Sequence, residues 1–323
     1  MIRVNLQEAI GYPLAHDIVS IKETSKEVAF KRGHIIKDKD QKLLLSLGKQ
    51  NIYILEPSDN NLIHEEDAAF IIFDTINNND FICSEVSLGK VSFIANKEGF
   101  FTVNKELITK FNMLGDISLA SIKDMTYVNK GDIVASVRII PLFTTTSHID
   151  LIKSFKDAKD MFSILTITNT NIHQITTGSE VYSKKIEDAF KPTIENKLEK
   201  FGLKVSSYNV VSDDKELIKE QINDSLSLGA NIILVTGGMS VDPDDLTPGA
   251  IKDTGSNIIA YGTPIIPGSM FLYSKHNNTY ILGLPGAVIF EDITAFDLLL
   301  PYALVNKHIS KEDIMSMSVG GLL

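Results

Sequence analysis

Ile232-Ile-Leu-Val-Thr-Gly-Gly238 decides how the second half of this chain is read. Four apolar β-formers run without interruption into a threonine and two glycines. An unbroken apolar run of this length fits a strand covered on both faces, as in a parallel sheet. The flanking segments agree. Upstream, Leu217, Ile218, Ile222 and Leu226 share one face of a helix, preceded by a strand over Lys204–Val211. Before that, Ile186, Phe190, Ile194 and Leu198 recur every four residues in a helix kinked or restarted at Pro192. Phe162–Thr168 reads as a further buried strand. Downstream, Met270–Lys275 and Thr279–Leu282 form a hairpin turning at Asn277-Asn278. Gly283-Leu-Pro-Gly286 then opens an apolar helix expected to run to about Leu304. Strands alternating with helices make the fold class α/β, with a mostly parallel sheet and covering helices.

The rest of the chain has another texture. Residues 1-80 read as a small α+β module, with a helix over Asp40–Gly48, capped by Asp40 and ended by Gly48, and a strand over Asn51–Leu55. Residues 81-147 read as a β-rich module: Val91–Ala95, Phe100–Val103 and Ile133–Ile140 are short strands, and Asn96–Gly99 and Asn129–Asp132 are turns. Thr144–His148 is expected to be a linker, and the α/β domain is placed at 148-323.

Charge and composition bound the function. A net charge of −10 over 323 residues disfavours nucleic acid and anionic membranes as partners. No apolar run approaches the roughly 18 residues that cross a bilayer, and the opening Met1–Glu8 has no signal-like apolar core. Cys83 is the single cysteine, which excludes an internal disulfide. A cytoplasmic protein is expected. An anionic ligand would then be held locally, by backbone amides rather than by a basic surface.

In open α/β sheets ligands gather at the carboxyl ends of strands, and four features are expected there. Thr177-Gly-Ser-Glu180 offers backbone donors and two hydroxyls, although Ser179 as a helix cap with Glu180 in the first turn accounts for the motif, taken alone, more simply. Asp213 lies three residues before Glu216, a capping-box spacing; a carboxylate that holds a metal or takes a proton is the alternative. Thr236-Gly-Gly238 is followed by Ser240, Asp242, Asp244 and Asp245. Glycines expose amides to a phosphate, and a carboxylate cluster beside them points to Mg²⁺ as a bridge. Thr247-Pro248 reads as an N-cap followed by proline at the first helical position. Lastly, Gly283, Leu284, Pro285 and Gly286 could present the amides of a helix N-terminus.

This ordered set resembles the molybdopterin-binding domain family of molybdenum-cofactor biosynthesis, which includes molybdopterin adenylyltransferases, molybdotransferases and gephyrin. The resemblance rests on Thr177-Gly-Ser-Glu180, Asp213, Thr236-Gly-Gly238, Asp245-Leu-Thr-Pro248 and Gly283-Leu-Pro-Gly286, spanning about half the chain. It implies a three-layer sandwich. It also implies that the two glycine turns hold the pterin and its phosphate, and that Asp245 and Asp213 are the functional acids; the carboxylate cluster itself makes Asp242 a further candidate metal ligand. Leu6–Asp17 and Arg32–Asp40 look like pieces of the molybdotransferase front, but its Ser-Ala-Met-Asp-Gly-type motif is absent. After Gly286 the chain continues Ala287-Val-Ile-Phe290 where molybdotransferases have Asn-Pro. The chain most resembles a bacterial branch described only as molybdopterin-binding.

The implied ligand is molybdopterin, a small-molecule pterin phosphate, bare or in an adenylated or metal-loaded form, with Mg²⁺ and an ATP or AMP moiety as companions. Relatives of this kind commonly associate, so a homo-oligomer is expected. Two other readings stay open: a nucleotide-phosphate hydrolase, and a carrier or scaffold without turnover. The histidines at 16, 34, 64, 148, 173, 276 and 308 have no zinc-site spacing, and Lys184-Lys185 is read as a solvated helix face.

Overall fold

A computed structural model describes residues 2–21, 26–54, 61–87, 89–239 and 245–323. Ser240 and Asp242 therefore lie outside the described residues. The chain divides into two compact units, Met1–Ile164 and Leu165–Leu323.

Two hydrophobic clusters build the first unit. Leu6, Leu14, Ile18, Ile36, Leu44, Ile52 and Ile54 form one, beneath the antiparallel pairs Ile2–Asn5 with Asn51–Ile54 and Ile18–Ile21 with Lys26–Phe30. The other lies under a four-stranded antiparallel sheet in which Ile133–Ile139 is paired with Lys90–Ala95 and Ile117–Ser121. The helix Glu65–Ile76 contributes Ala68, Ala69, Ile72, Phe73 and Ile76 to that core. Two expectations fail here. Thr144–His148 is not a linker: Phe143–Thr145 is a strand, and Thr145 caps the helix Thr146–Lys153 by accepting from the His148 amide. Phe162–Leu165 pairs in a three-stranded sheet of the first unit and does not enter the α/β sheet. Asn78 donates to its Phe162 carbonyl, and Asp80 accepts from the Ile164 amide, anchoring it there.

The second unit is the α/β domain. Its elements in chain order are β1 (Ile172–Thr177), α1 (Ser179–Tyr182), α2 (Phe190–Glu199), β2 (Val205–Val211), α3 (Lys215–Ser227), β3 (Ile232–Thr236), α4 (Thr247–Asp253), β4 (Asn257–Tyr261), β5 (Leu272–His276), β6 (Thr279–Leu284), α5 (Ala287–Phe290), α6 (Ala295–Leu304) and α7 (Lys311–Ser316). The sheet order is β2-β1-β3-β6-β5-β4. Pairings among β2, β1, β3 and β6 are parallel, and β5 is antiparallel to both its neighbours. The mostly parallel α/β sheet expected from the sequence is thus present.

Side-chain alternation assigns the layers. Ile175, Ile233, Val235, Leu272 and Ile281 pack with Ile218 and Ile222 of α3 and Ala250 and Ile251 of α4. The opposite face carries Leu234, Leu282 and Tyr273, all fully buried. There Phe271 meets Phe296 of α6, and α2 is tied to α6 by Lys197 and Asp297. Helices on both faces make three layers.

Several local expectations shift. α2 starts at Phe190, so Pro192 sits harmlessly in its first turn, and Ile186 is left half-exposed outside it. The long apolar helix after Gly286 is two helices. Thr294 accepts from the Phe296 amide as N-cap, and Asp297 closes a capping box on it, so α6 starts afresh. Asp40 does not cap with its side chain either; its carboxylate takes the His34 ring and the Lys37 amide.

Candidate functional site

Register brings the four parallel strands to one edge. Thr177 is paired with Val211, and Thr176 with Thr236, which in turn is paired with Leu284. The chain crosses from β1 to β2 through α2 on one face, then returns past β1 to β3 through α3 on the other. The strand order therefore reverses beside β1, which makes the crevice between the carboxyl ends of β1 and β3 the switch point where open α/β sheets hold ligands.

Thr236-Gly-Gly238 enters that crevice. Gly237 and Gly238 have φ of +87° and +57°, a left-handed conformation that glycine adopts without steric cost. A Cβ on Gly237 would stand 2.3 Å from the Thr177 carbonyl oxygen and 2.7 Å from Thr177 Oγ1. The β3 loop is thus pressed against the end of β1 with no room for a side chain. One on Gly238 would stand 2.9 Å from Thr247 Oγ1.

On the other side of β1, Gly178 (φ +144°) turns the chain out of the sheet. Its amide donates to the Val211 carbonyl, and the Ser179 amide donates to Asp213 Oδ2 at 2.7 Å. A charge-assisted bond of this kind fixes the Thr177–Glu180 turn against the β2 loop. Ser179 is the first residue of α1 and makes no side-chain cap; Ser179 and Glu180 are both exposed. The expected capping role of Asp213 falls instead to Asp214, whose Oδ1 accepts from the amides of Glu216 and Leu217. Capping and site-facing roles are split between adjacent aspartates.

Thr247 also departs from expectation. It is fully buried and is no helix cap: its hydroxyl donates to the Gly237 carbonyl at 2.9 Å and lies 3.5 Å from Thr177 Oγ1. Two residues earlier, Asp245 is close enough to Tyr261 at the end of β4 that, together with burial as the larger cause, its charge raises the phenol's pKa. β4 runs parallel to β6, so Tyr261 belongs to the same sheet edge.

Behind the crevice lies a polar chain. Thr236 Oγ1 donates to Thr176 Oγ1, which donates to Asp188 Oδ2. Tyr208 donates to the same oxygen, and burial, with that bond, pushes its phenol up to about 12. Neither Asp188 nor Tyr208 stood out in the sequence.

Gly283-Leu-Pro-Gly286 adjoins the Gly237 loop, but only part of it is open. Gly283, Leu284 and Pro285 are buried, and a Cβ on Gly283 would meet the Met239 thioether at 2.6 Å. The small residue there makes space for Met239. Gly286 is exposed, and the helix that it opens has four residues, so the expected dipole of a long helix is lacking. Of the proposed metal ligands, Asp213 is turned to the Ser179 amide. Among the described residues, no three His, Cys, Asp or Glu are placed to hold a metal ion. Nor is any helix of the described residues long and apolar enough to cross a membrane.

Residues 173–304, from β1 to the end of α6, match the family described as "Probable molybdopterin binding domain", and residues 3–56 match a domain of unknown function. A provisionally named molybdopterin biosynthesis protein of Methanocaldococcus jannaschii is 30% identical over 166 residues, 49% of this chain and 41% of that protein. A molybdopterin molybdenumtransferase of Haemophilus influenzae is 24% identical over 179 residues, 54% of this chain and 43% of the relative. A CinA-like protein of Thermosipho melanesiensis is 38% identical over 77 residues, 24% of this chain and 19% of its own length. The chain thus spans less than half the length of each. The family match falls wholly within the second unit, Leu165–Leu323.

Proposed function

We propose that the α/β domain binds molybdopterin, in its free, adenylated or metal-loaded form, at the carboxyl edge of β1 and β3, and serves molybdenum-cofactor biosynthesis or delivery. The observation that carries this reading is the contact of Gly237 with the Thr177 carbonyl at the switch point, inside the region of the family match. Side-chain-free backbone there, with the Thr177 hydroxyl beside it, suits the phosphate of a pterin; amide donors stabilise such charge without a basic surface. Mg²⁺, where it takes part, would be held in part by the ligand's own phosphate. An adenylyl- or molybdotransferase reaction would use Asp245 near the ligand.

The test is to purify the protein anaerobically, oxidise what it releases, and read pterin fluorescence and mass. A stoichiometric phosphorylated pterin supports the proposal. A co-purifying nucleotide without pterin, or no pterin retained on incubation with molybdopterin, overturns it.

A further inference from the structure

The strand β3 leaves the sheet at Thr236 and the chain returns at Asp245-Leu-Thr247 to start α4. One side chain joins the departing and returning segments. Thr247 is fully buried, its hydroxyl donates to the Gly237 carbonyl at 2.9 Å, and a Cβ built on Gly238 would stand 2.9 Å from the same oxygen. The loop is thereby closed at its neck, and Asp245 is only two residues from the closure.

We propose that Thr247 is a positioning residue of the candidate site: its hydroxyl locks the neck of the Gly237–Thr247 loop and so sets where Asp245 stands. This rests on the pterin-binding reading for its ligand, but not for its geometry. Donation to the Gly237 carbonyl uses the only proton on Thr247 Oγ1 and leaves that oxygen as an acceptor. Thr177 Oγ1 is 3.5 Å away, at the outer limit of hydrogen-bond length. The Thr177 hydroxyl is thus held weakly and can turn to an arriving anion, while the strong bond of Thr247 stays in place. Proline at position 248 adds no competing amide donor, and α4 has no side-chain cap at its start. The threonine is therefore committed to the loop rather than to the helix.

The experiment uses the full chain with Thr247→Val, which keeps the shape and loses the hydroxyl, and Thr247→Ser, which restores the hydroxyl. In the ligand-free protein, hydrogen exchange of the Gly238, Met239 and Leu246 amides should speed up at least tenfold in Thr247→Val, and stay within about threefold of native in Thr247→Ser. Unchanged exchange in Thr247→Val overturns the proposal whether or not a pterin binds. The second readout is molybdopterin affinity in a cycle with Asp245→Asn. If Thr247 acts by placing Asp245, the loss caused by Asp245→Asn shrinks at least threefold in the Thr247→Val background; independent losses that multiply contradict the positioning role. Should native protein bind no molybdopterin, the functional reading fails while the exchange result still decides the neck lock. Should Thr247→Val fail to fold, Thr247→Ser and Thr247→Cys are compared, and exchange as slow in the cysteine variant as in native protein overturns the proposal, because a thiol is a weak donor.

Discussion

Gly237 is the residue at which fold and candidate function meet most tightly. Its φ of +87° and the 2.3 Å approach of a hypothetical Cβ to the Thr177 carbonyl leave no cheap relaxation, because the obstructing atom is backbone. Gly237→Ala should therefore cost at least the roughly 1–3 kcal/mol of a non-glycine residue held in such a conformation. Denaturant unfolding would show the loss, and molybdopterin binding should vanish with it; near-native affinity in that variant would mean that the loop does not touch the ligand. Asp213 is a gentler probe. Asp213→Ala removes the acceptor for the Ser179 amide and frees the Thr177–Glu180 turn, so affinity should fall with little change in melting temperature. A melting temperature lowered as much as in Gly237→Ala would show that Asp213 is structural.

Between elements, the buried Lys197 pairs with the part-buried Asp297 and ties α2 to the start of α6. Lys197 also donates to the Asp292 carbonyl at 2.7 Å, so it fixes the break between α5 and α6. Removing one partner strands a mostly buried charge, and Lys197→Met should destabilise by about 3 kcal/mol. Adding Asp297→Leu to Lys197→Met should recover part of that in a denaturant melt, and a further equal loss would show that the two side chains act separately. That break explains what the sequence could and could not reveal. Strands β2, β3, β5 and β6 and helices α2 and α3 were legible because apolar periodicity and turn residues mark them within a dozen positions. The split after Phe290 has a local mark, the capping box of Thr294 and Asp297, which the apolar run on either side conceals; the Lys197 contacts that brace it come from nearly a hundred positions upstream. Phe162–Leu165 looked like a sheet strand of the α/β domain for the same kind of reason: its apolar run is real, but its partner strand Gly99–Val103 and its anchors Asn78 and Asp80 all lie far upstream. At the site, the glycines and Asp213 were visible as residue types in order. Assigning the α3 cap to Asp214 and the neck of the loop to Thr247 needed atomic positions, since Ser, Thr and Asp serve caps and ligands with the same atoms.

Across the whole chain, charge and pH bear on the two units differently. In the first unit His64 is buried, its Nδ1 accepting from the Glu66 amide at the start of the helix Glu65–Ile76. Burial first, then the Arg32 charge, lowers its pKa to about 4. Because the folded value lies below the unfolded value near 6.5, the unfolded chain takes up the proton first. Stability is then complete above about pH 6.5 and declines as pH falls toward 4. His64→Asn keeps a helix-capping acceptor and removes the titration, so its melting temperature should fall less than native between pH 7 and 4.5; parallel declines would rule out His64 as the cause. In the second unit the proposed function needs one sheet edge to gather the β1, β3 and β6 turns into a single anion pocket. Amide chemical-shift mapping during an anaerobic titration with molybdopterin tests it most directly. Gly178, Ser179, Gly237, Gly238 and Gly286 should shift together and saturate at one concentration. Shifts confined to the separate 460 Å³ cleft between α2 and residues 289–293, with those glycines unmoved, would contradict it.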